Sequence, residues 1–166
     1  MTANAPNYRR QIVDQLIPFA EKDPRIILFV SDMGFGVTDK FKTQFPNRMF
    51  NVGIMEQGAV GIAAGMAMSG WLPVFYSIVN FIVYRSIEQI RNDVVLQKMN
   101  VKFIATGVND YFEFLGPSHC CGQDDIQLMK MIGMPEIVDP YSHKEEEFPS
   151  LVEKWITSNQ PGYIRV

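Results

Sequence analysis

The sequence predicts an α/β domain: a mostly parallel sheet of about six strands sandwiched between two layers of helices. Three observations carry this expectation. Short apolar runs alternate along the chain with longer segments of helical period. The runs are apolar almost without interruption, as in Arg25–Val30 and Val101–Thr106, which is the pattern of strands covered on both faces. No Pro/Gly/Ser-rich linker, low-complexity tract or internal repeat divides the 166 residues. One domain over residues 1–166 is therefore expected, with residues 1–7 as a disordered tail.

The elements follow in order. Ile12, Val13, Leu16, Ile17 and Ala20 make one stripe of a helix over Tyr8 to about Glu21. Arg25–Val30 is a strand, ended by the polar break Ser31-Asp32-Met33-Gly34. A short helix over Thr38–Gln44 and a short strand over Arg48–Val52 come next, followed by a helix from Glu56 to Ser69 built of very small residues. Trp71–Ser77 is a strand, Phe81–Met99 a long helix, and Val101–Thr106 a strand. Gly107–Gly122 has no period and is a candidate functional loop. A helix (Asp124–Met131), a strand (Glu136–Val138), a helix (Lys144–Ser158) and a strand (Gly162–Val166) complete the chain. In a parallel sheet ligands meet the loops at the carboxyl ends of the strands, so Asp32, the turn before Glu56 and the Gly107–Gly122 loop can share one rim.

Composition excludes several classes. A formal net charge of −3, with no basic block, argues against nucleic acid as a partner. No apolar window is long enough to cross a membrane, and Met1-Thr2-Ala3-Asn4-Ala5-Pro6 is unlike a signal peptide, so a cytoplasmic protein with no membrane partner is expected. G-x-G-x-x-G after the first strand, a Walker loop and a G-x-S-x-G elbow are all missing. His119, Cys120 and Cys121 are adjacent on one loop and cannot readily converge on an ion, so no metal site is assigned to this chain.

The segment Asn51-Val52-Gly53-Ile54-Met55-Glu56-Gln57-Gly58, continued by a Gly/Ala-rich run, is the most informative. Glycine is poor in helix interiors by about 1 kcal/mol relative to alanine, so several of them need a packing reason: either close approach of another backbone or core packing. Glu56 is a lone acid with no Lys or Arg from Asn51 to Ala67, a candidate buried carboxyl with its charge disfavoured. A plainer reading leaves it complementing the helix dipole.

These residues resemble the pyrimidine-binding (Pyr) domain of transketolase-like thiamine diphosphate enzymes. The resemblance continues in order through Ser31-Asp32-Met33, Pro73–Ser77, Arg85–Asp93, Gly116-Pro117-Ser118-His119, Asp124-Asp125-Ile126 and Gly162–Val166, and covers about Arg25 to Val166. It implies the thiamine diphosphate-binding fold of Pyr type. It also implies that Glu56 meets the N1′ nitrogen of the cofactor's aminopyrimidine, that His119 faces the substrate, and that Asp32 assists at the rim or serves as a turn residue. The ring's wall falls on Val79 and Ile82 in the ungapped register, with Phe81 and Tyr84 as neighbours, and a one-residue shift brings Phe81 into the wall; with Arg85 these are the residues expected to bind the cofactor beside Glu56. Leu115 and Gly107 stand where the family uses polar contacts to a sugar, so phosphosugar specificity does not follow.

The family holds the diphosphate and its Mg²⁺ through a G-D-G and a downstream Asn on a separate PP domain. No G-D-G occurs here, and the chain ends where a C-terminal domain would begin. The resemblance therefore implies the small subunit of a split transketolase-like transferase. Such a subunit would be active only with a PP-domain partner chain that carries Mg²⁺, and an α2β2 heterotetramer is expected. The implied reaction moves a two-carbon ketol or related acyl-anion unit from a ketose-type donor to an aldehyde acceptor. The alternatives are a 2-oxo acid decarboxylase or dehydrogenase component, and a non-catalytic partner of a thiamine enzyme.

Overall fold

The structure, a computed structural model, describes residues 6–166. Of the expected tail, residues 1–5 lie outside the described residues, whereas Asn7 caps the first helix by accepting the Arg10 backbone N–H at 3.3 Å. Six helices and six strands follow: α1 (Tyr8–Lys22), β1 (Ile26–Val30), α2 (Asp39–Gln44), β2 (Met49–Asn51), α3 (Glu56–Met68), β3 (Leu72–Ile78), α4 (Val79–Gln89), β4 (Lys102–Thr106), α5 (Asp124–Met131), β5 (Glu136–Val138), α6 (Phe148–Thr157) and β6 (Gly162–Arg165).

All strand pairings are parallel, in the order β2-β1-β3-β4-β6-β5. Leu28, Val30, Val74, Tyr76, Ile104 and Ile164 point into one core with α1, α2 and α6. The alternate residues Ile27, Phe29, Phe75, Phe103, Ala105 and Tyr163 point into a second core with α3, α4 and α5. Period-two alternation with both sets apolar makes the strands read as continuous hydrophobic runs. The expected mostly parallel sheet is fully parallel.

Two helices differ from expectation. The expected Phe81–Met99 helix begins two residues earlier, directly after β3, and passes into a π-helical turn over Ile90–Val95 before Lys98 at φ +56°. The apolar period carries no signal for either feature. The expected Lys144–Ser158 helix is a 3-10 turn over Glu145–Glu147 leading into α6 at Phe148. Pro149 explains the boundary, since a residue without an N–H fits only the first turn of a helix.

Candidate functional site

Because the sheet is parallel, the segments after β1, β2, β3 and β4 all emerge at one edge. Asn51 ties two of them. Its Oδ1 accepts the backbone N–H of Asp32 at 2.9 Å and of Gly53 at 3.0 Å, and its Nδ2 donates to Asp32 Oδ1 at 3.2 Å. Asp32 (φ +48°) and Gly53 (φ +73°) both adopt left-handed backbone, which bends the chain sharply at each position. Asp32 is thus an exposed turn residue engaged with Asn51.

This turn delivers Glu56 as the first residue of α3, with its side chain 1% exposed. The buried carboxyl expected from the sequence is present, but it is not alone. Arg85, projecting from α4, forms an ion pair with Oε2. Ser77, at the end of β3, donates a long hydrogen bond of 3.5 Å to Oε1, and Ser77 Oγ lies 2.5 Å from Ser31 Oγ at the end of β1. Both carboxyl oxygens are therefore partnered, as burial of a charge requires. The two serines are buried, whereas the Arg85 side chain is 38% exposed, so Arg85 is the solvent-facing partner of the carboxyl.

The first three turns of α4 sort the expected wall residues. Val79 and Ile82 are fully buried among the second core and do not reach the rim. The helical period places Phe81, Tyr84 and Arg85 on the opposite, accessible face, and half-buried Ile78 precedes them. Of the two registers, the shifted one, with Phe81, is the one whose side chains are accessible at the rim. The reason is that α4 starts at Val79, directly after the strand, and turns its most aliphatic stripe toward the sheet. The Arg85 guanidinium stacks 4.1 Å above the Phe81 ring, and Phe81 meets the His119 ring edge-on at 5.2 Å. Glu56, Arg85, Phe81 and His119 form one continuous line of contacts. The Tyr84 hydroxyl donates to Asp124 Oδ2 at 2.8 Å, and this bond, with some burial, pushes its phenol up to about 12.

His119 ends a 3-10 turn, Pro117–His119, entered through Gly116 at φ +97°. Its Nδ1 lies 3.0 Å from Ser118 Oγ. Asn80, the second residue of α4, donates through Nδ2 to the carbonyls of Ser118 at 3.0 Å and Cys120 at 2.8 Å. Farther along, Asp110 accepts the Gly122 N–H at 3.1 Å. Buried Arg165 joins Asp125 through Nε at 2.9 Å and Nη2 at 3.1 Å, and Tyr163 donates to the same carboxylate at 2.8 Å. The candidate loop is therefore anchored at both ends. Its Gly107 (φ +82°) packs against Phe112 so closely that no Cβ fits. Burial and the Asp125 charge push the Cys121 thiol up to about 12, which makes it an unreactive core residue.

Ser31, Ser77 and Asn80 escaped the sequence reading. The signal available for them was a polar residue closing an apolar strand (Ser31, Ser77) or opening an apolar helix (Asn80). The small residues of α3 also separate. Ala59, Ala63 and Ala64 are buried against the sheet, whereas Gly61 and Gly65 face outward. A Cβ at Gly65 would meet nothing within 4 Å, and one at Gly61 only Asp93 Oδ2 at 4.0 Å. Among the described residues no packing calls for these two glycines. Beside them Ile54, Met55, Ile62 and Met68 are exposed.

A cavity of about 750 Å³ opens at the other, amino end of the sheet, between Arg25, Trp71, Asn100 and Ser158, and it holds none of the site residues. Among the described residues no three His, Cys, Asp or Glu side chains gather as a metal site, and no helix is long and apolar enough to cross a membrane.

The family described as "Transketolase, pyrimidine binding domain" matches residues 4–166. The chain is similar to a 1-deoxy-D-xylulose-5-phosphate synthase of Lawsonia intracellularis (strain PHE/MN1-00), 34% identical over 161 residues that make up 96% of this chain and 24% of that protein. It is also similar to the 6-deoxy-6-sulfo-D-fructose transketolase subunit SqwH of Clostridium sp. (strain MSTE9), 29% identical over 95% of this chain and 48% of that protein. Among solved structures, a split-gene transketolase described as an inactive β4 tetramer superposes with a TM-score of 0.81 at 29% identity, covering 95% of this chain and 49% of that one. A Pichia stipitis transketolase in complex with xylulose 5-phosphate shares the fold, with a TM-score of 0.70 at 16% identity over 98% of this chain and 26% of that one. The chain spans between a quarter and a half of the length of these relatives. Matched over nearly its whole length, with a parallel sheet that carries a buried glutamate at the head of its small-residue helix, the chain belongs to the transketolase pyrimidine-binding domain family.

Proposed function

We propose that this chain is the pyrimidine-binding subunit of a split transketolase-like thiamine diphosphate enzyme. In this reading it transfers a two-carbon ketol or related acyl-anion unit from a ketose-type donor to an aldehyde acceptor. The observation that carries the reading is Glu56, a carboxyl buried at the rim of a transketolase-type domain and held on its accessible side only by a solvent-facing Arg85. The residues present fit an aminopyrimidine: a buried carboxyl to meet a ring nitrogen, with Ile78 and Phe81 as a half-buried surface for a flat ring. The sequence contains no G-D-G, and among the described residues no three His, Cys, Asp or Glu side chains gather that could hold Mg²⁺, so this reading assigns the diphosphate and its ion elsewhere. Those groups fall to a PP-domain chain.

When bound, thiamine diphosphate supplies a nucleophilic carbon and an electron sink for carbon–carbon cleavage. This chain's residues prepare that chemistry. Glu56 releases Oε2 from Arg85 and holds a proton between its carboxyl and the ring nitrogen. Arg85 thereby guards Glu56 in the free subunit and does not itself ligate the ring. Phe81 and Ile78 would lie against the ring and exclude water. His119 hydrogen-bonds a substrate hydroxyl or carbonyl oxygen and exchanges a proton with it. Asp32 keeps the turn before Glu56 in place.

The outward glycines of α3, with Ile62 and Met68 beside them, are the surface proposed to receive the partner's backbone. A helix apolar on all sides is normally covered on all sides. The names of two relatives, a transketolase subunit and a split-gene transketolase, support a two-chain enzyme, for which an α2β2 arrangement in the cytoplasm is proposed. A 2-oxo acid donor is a second reading, favoured by the exposed, apolar Leu115 just before Gly116 and by the tightly packed Gly107, neither of which offers a sugar a polar contact. Co-expression with a PP-domain chain is expected to give thiamine-dependent ketol transfer that Glu56→Ala abolishes. Pyruvate tested against ketose donors separates the two readings. Activity unaffected by Glu56→Ala overturns both.

A further inference from the structure

We propose that Asn80 is a positioning residue that sets His119 for catalysis. The inference rests on the reading above, in which His119 faces the substrate. Asn80 is 7% exposed, and its single amide nitrogen donates to the two carbonyls that bracket His119, those of Ser118 at 3.0 Å and Cys120 at 2.8 Å. Both amide hydrogens are spent on this one turn. Its Oδ1 is buried with no partner among the described residues. A buried acceptor without a partner is unfavourable and rare, so a side chain retained in that state is held there by what its other end does. Here the other end fixes the backbone on either side of one histidine.

The ring is held by neighbours of the same clamp. Phe81, the next residue, meets it edge-on, and Ser118, whose carbonyl Asn80 grips, places Oγ 3.0 Å from Nδ1. One turn farther along the same helix Arg85 reaches Glu56. The first turns of α4 thus set both polar ends of the site at once, Glu56 from one side and His119 from the other. Misplacing a catalytic group by about 1 Å can lower turnover on the order of 100-fold, which is the scale on which such a clamp acts.

The test compares the wild type with Asn80→Asp, which keeps the shape but turns carboxylate oxygens toward the two carbonyls, and with Asn80→Ser, which keeps one short donor. In ¹⁵N-labelled free subunit, two-bond ¹H–¹⁵N spectra report the ring tautomer of each histidine. The chain has two histidines, and His143, which pairs with Glu147 at 3.4 Å well away from α4 in the chain, is the internal reference for folding. The expected result is a shift of the His119 tautomer ratio of at least threefold in Asn80→Asp with His143 unchanged, and a smaller shift in Asn80→Ser. In the complex with the PP-domain chain, kcat is expected to fall about 10- to 100-fold, with the dissociation constant of thiamine diphosphate within about twofold of wild type. A His119 signal identical to wild type in a folded variant overturns the inference, as does a loss of cofactor affinity that matches the loss of kcat. Should Asn80→Asp not fold, Asn80→Ser decides by the same two criteria. Glu56→Gln, measured in parallel, separates the two levels. Unchanged cofactor binding in Glu56→Gln overturns the function reading, whereas an effect in Glu56→Gln and none in either Asn80 variant overturns the positioning role alone.

Discussion

The guanidinium of Arg85 closes the accessible side of the Glu56 carboxyl, across a separation of 29 residues in the chain. Sequence inspection around Glu56 finds no cation, and the cation comes instead from the second turn of α4. In the chain alone the acid is therefore a satisfied ion pair, backed by Ser77 and Ser31.

Replacing Arg85 by Met leaves a buried carboxylate with one long hydrogen bond. The free subunit is expected to lose roughly 1–3 kcal/mol by urea denaturation, less than a fully buried pair would because Arg85 is partly solvated. Calorimetry on the complex is expected to show tighter thiamine diphosphate binding, about 5- to 10-fold, since the cofactor no longer displaces a guanidinium. Weaker binding would make Arg85 a ligand of the cofactor and not a guard.

Gly65 separates folding from assembly. A side chain fits at this position, and removing a helix-interior glycine adds about 1 kcal/mol, or roughly 2–4 °C in Tm. Gly65→Leu is expected to melt higher than the wild type and to fail to co-elute with the PP-domain chain on size exclusion. Co-elution at the wild-type level would remove the α3 face from the interface.

Lys102 gives a pH signature. The side chain is fully buried at the start of β4, where Nζ donates to the carbonyls of Ser158 at 3.1 Å and Gln160 at 2.7 Å and to Ser158 Oγ at 2.6 Å. Burial outweighs the nearby Glu136 carboxylate and pulls the ammonium down from 10.5 to about 8. Between these two values the unfolded chain binds more protons than the folded one, so stability gains as pH rises through that window, and below it the penalty on the charged form is fully present. Relative to Lys102→Met, the wild type is expected to gain roughly 3 kcal/mol between pH 7.5 and 10.5 in urea denaturation. A constant gap over that range would contradict the burial effect.

Much of the fold was legible because fully covered strands are apolar on both faces. Ile26–Val30 and Leu72–Ile78 announce themselves in this way, and each is followed by a break or a turn. Helix starts were harder. Val79 opens α4 with no capping side chain, so nothing marked the boundary: Val79 and Ile82 are as apolar as Phe81, and only the true start decides which of them is buried and which faces the rim. The motif residues Glu56 and His119 could be singled out from local sequence. Arg85 could be named beside the ring's wall, but its pairing with Glu56 could not; that pairing and the supports Ser77 and Asn80 are long-range contacts, which only the parallel order of β1, β3 and β4 brings together.

The most direct measurement is calorimetric titration of thiamine diphosphate into the complex of this chain with the proposed PP-domain partner, for the wild type and for Glu56→Gln. Glutamine keeps the shape but cannot hold the proton shared with the ring nitrogen. In Glu56→Gln, binding is expected to weaken at least 10-fold, about 1.4 kcal/mol or more, with ketol transfer lost. Binding and turnover equal to the wild type would contradict the role proposed for Glu56.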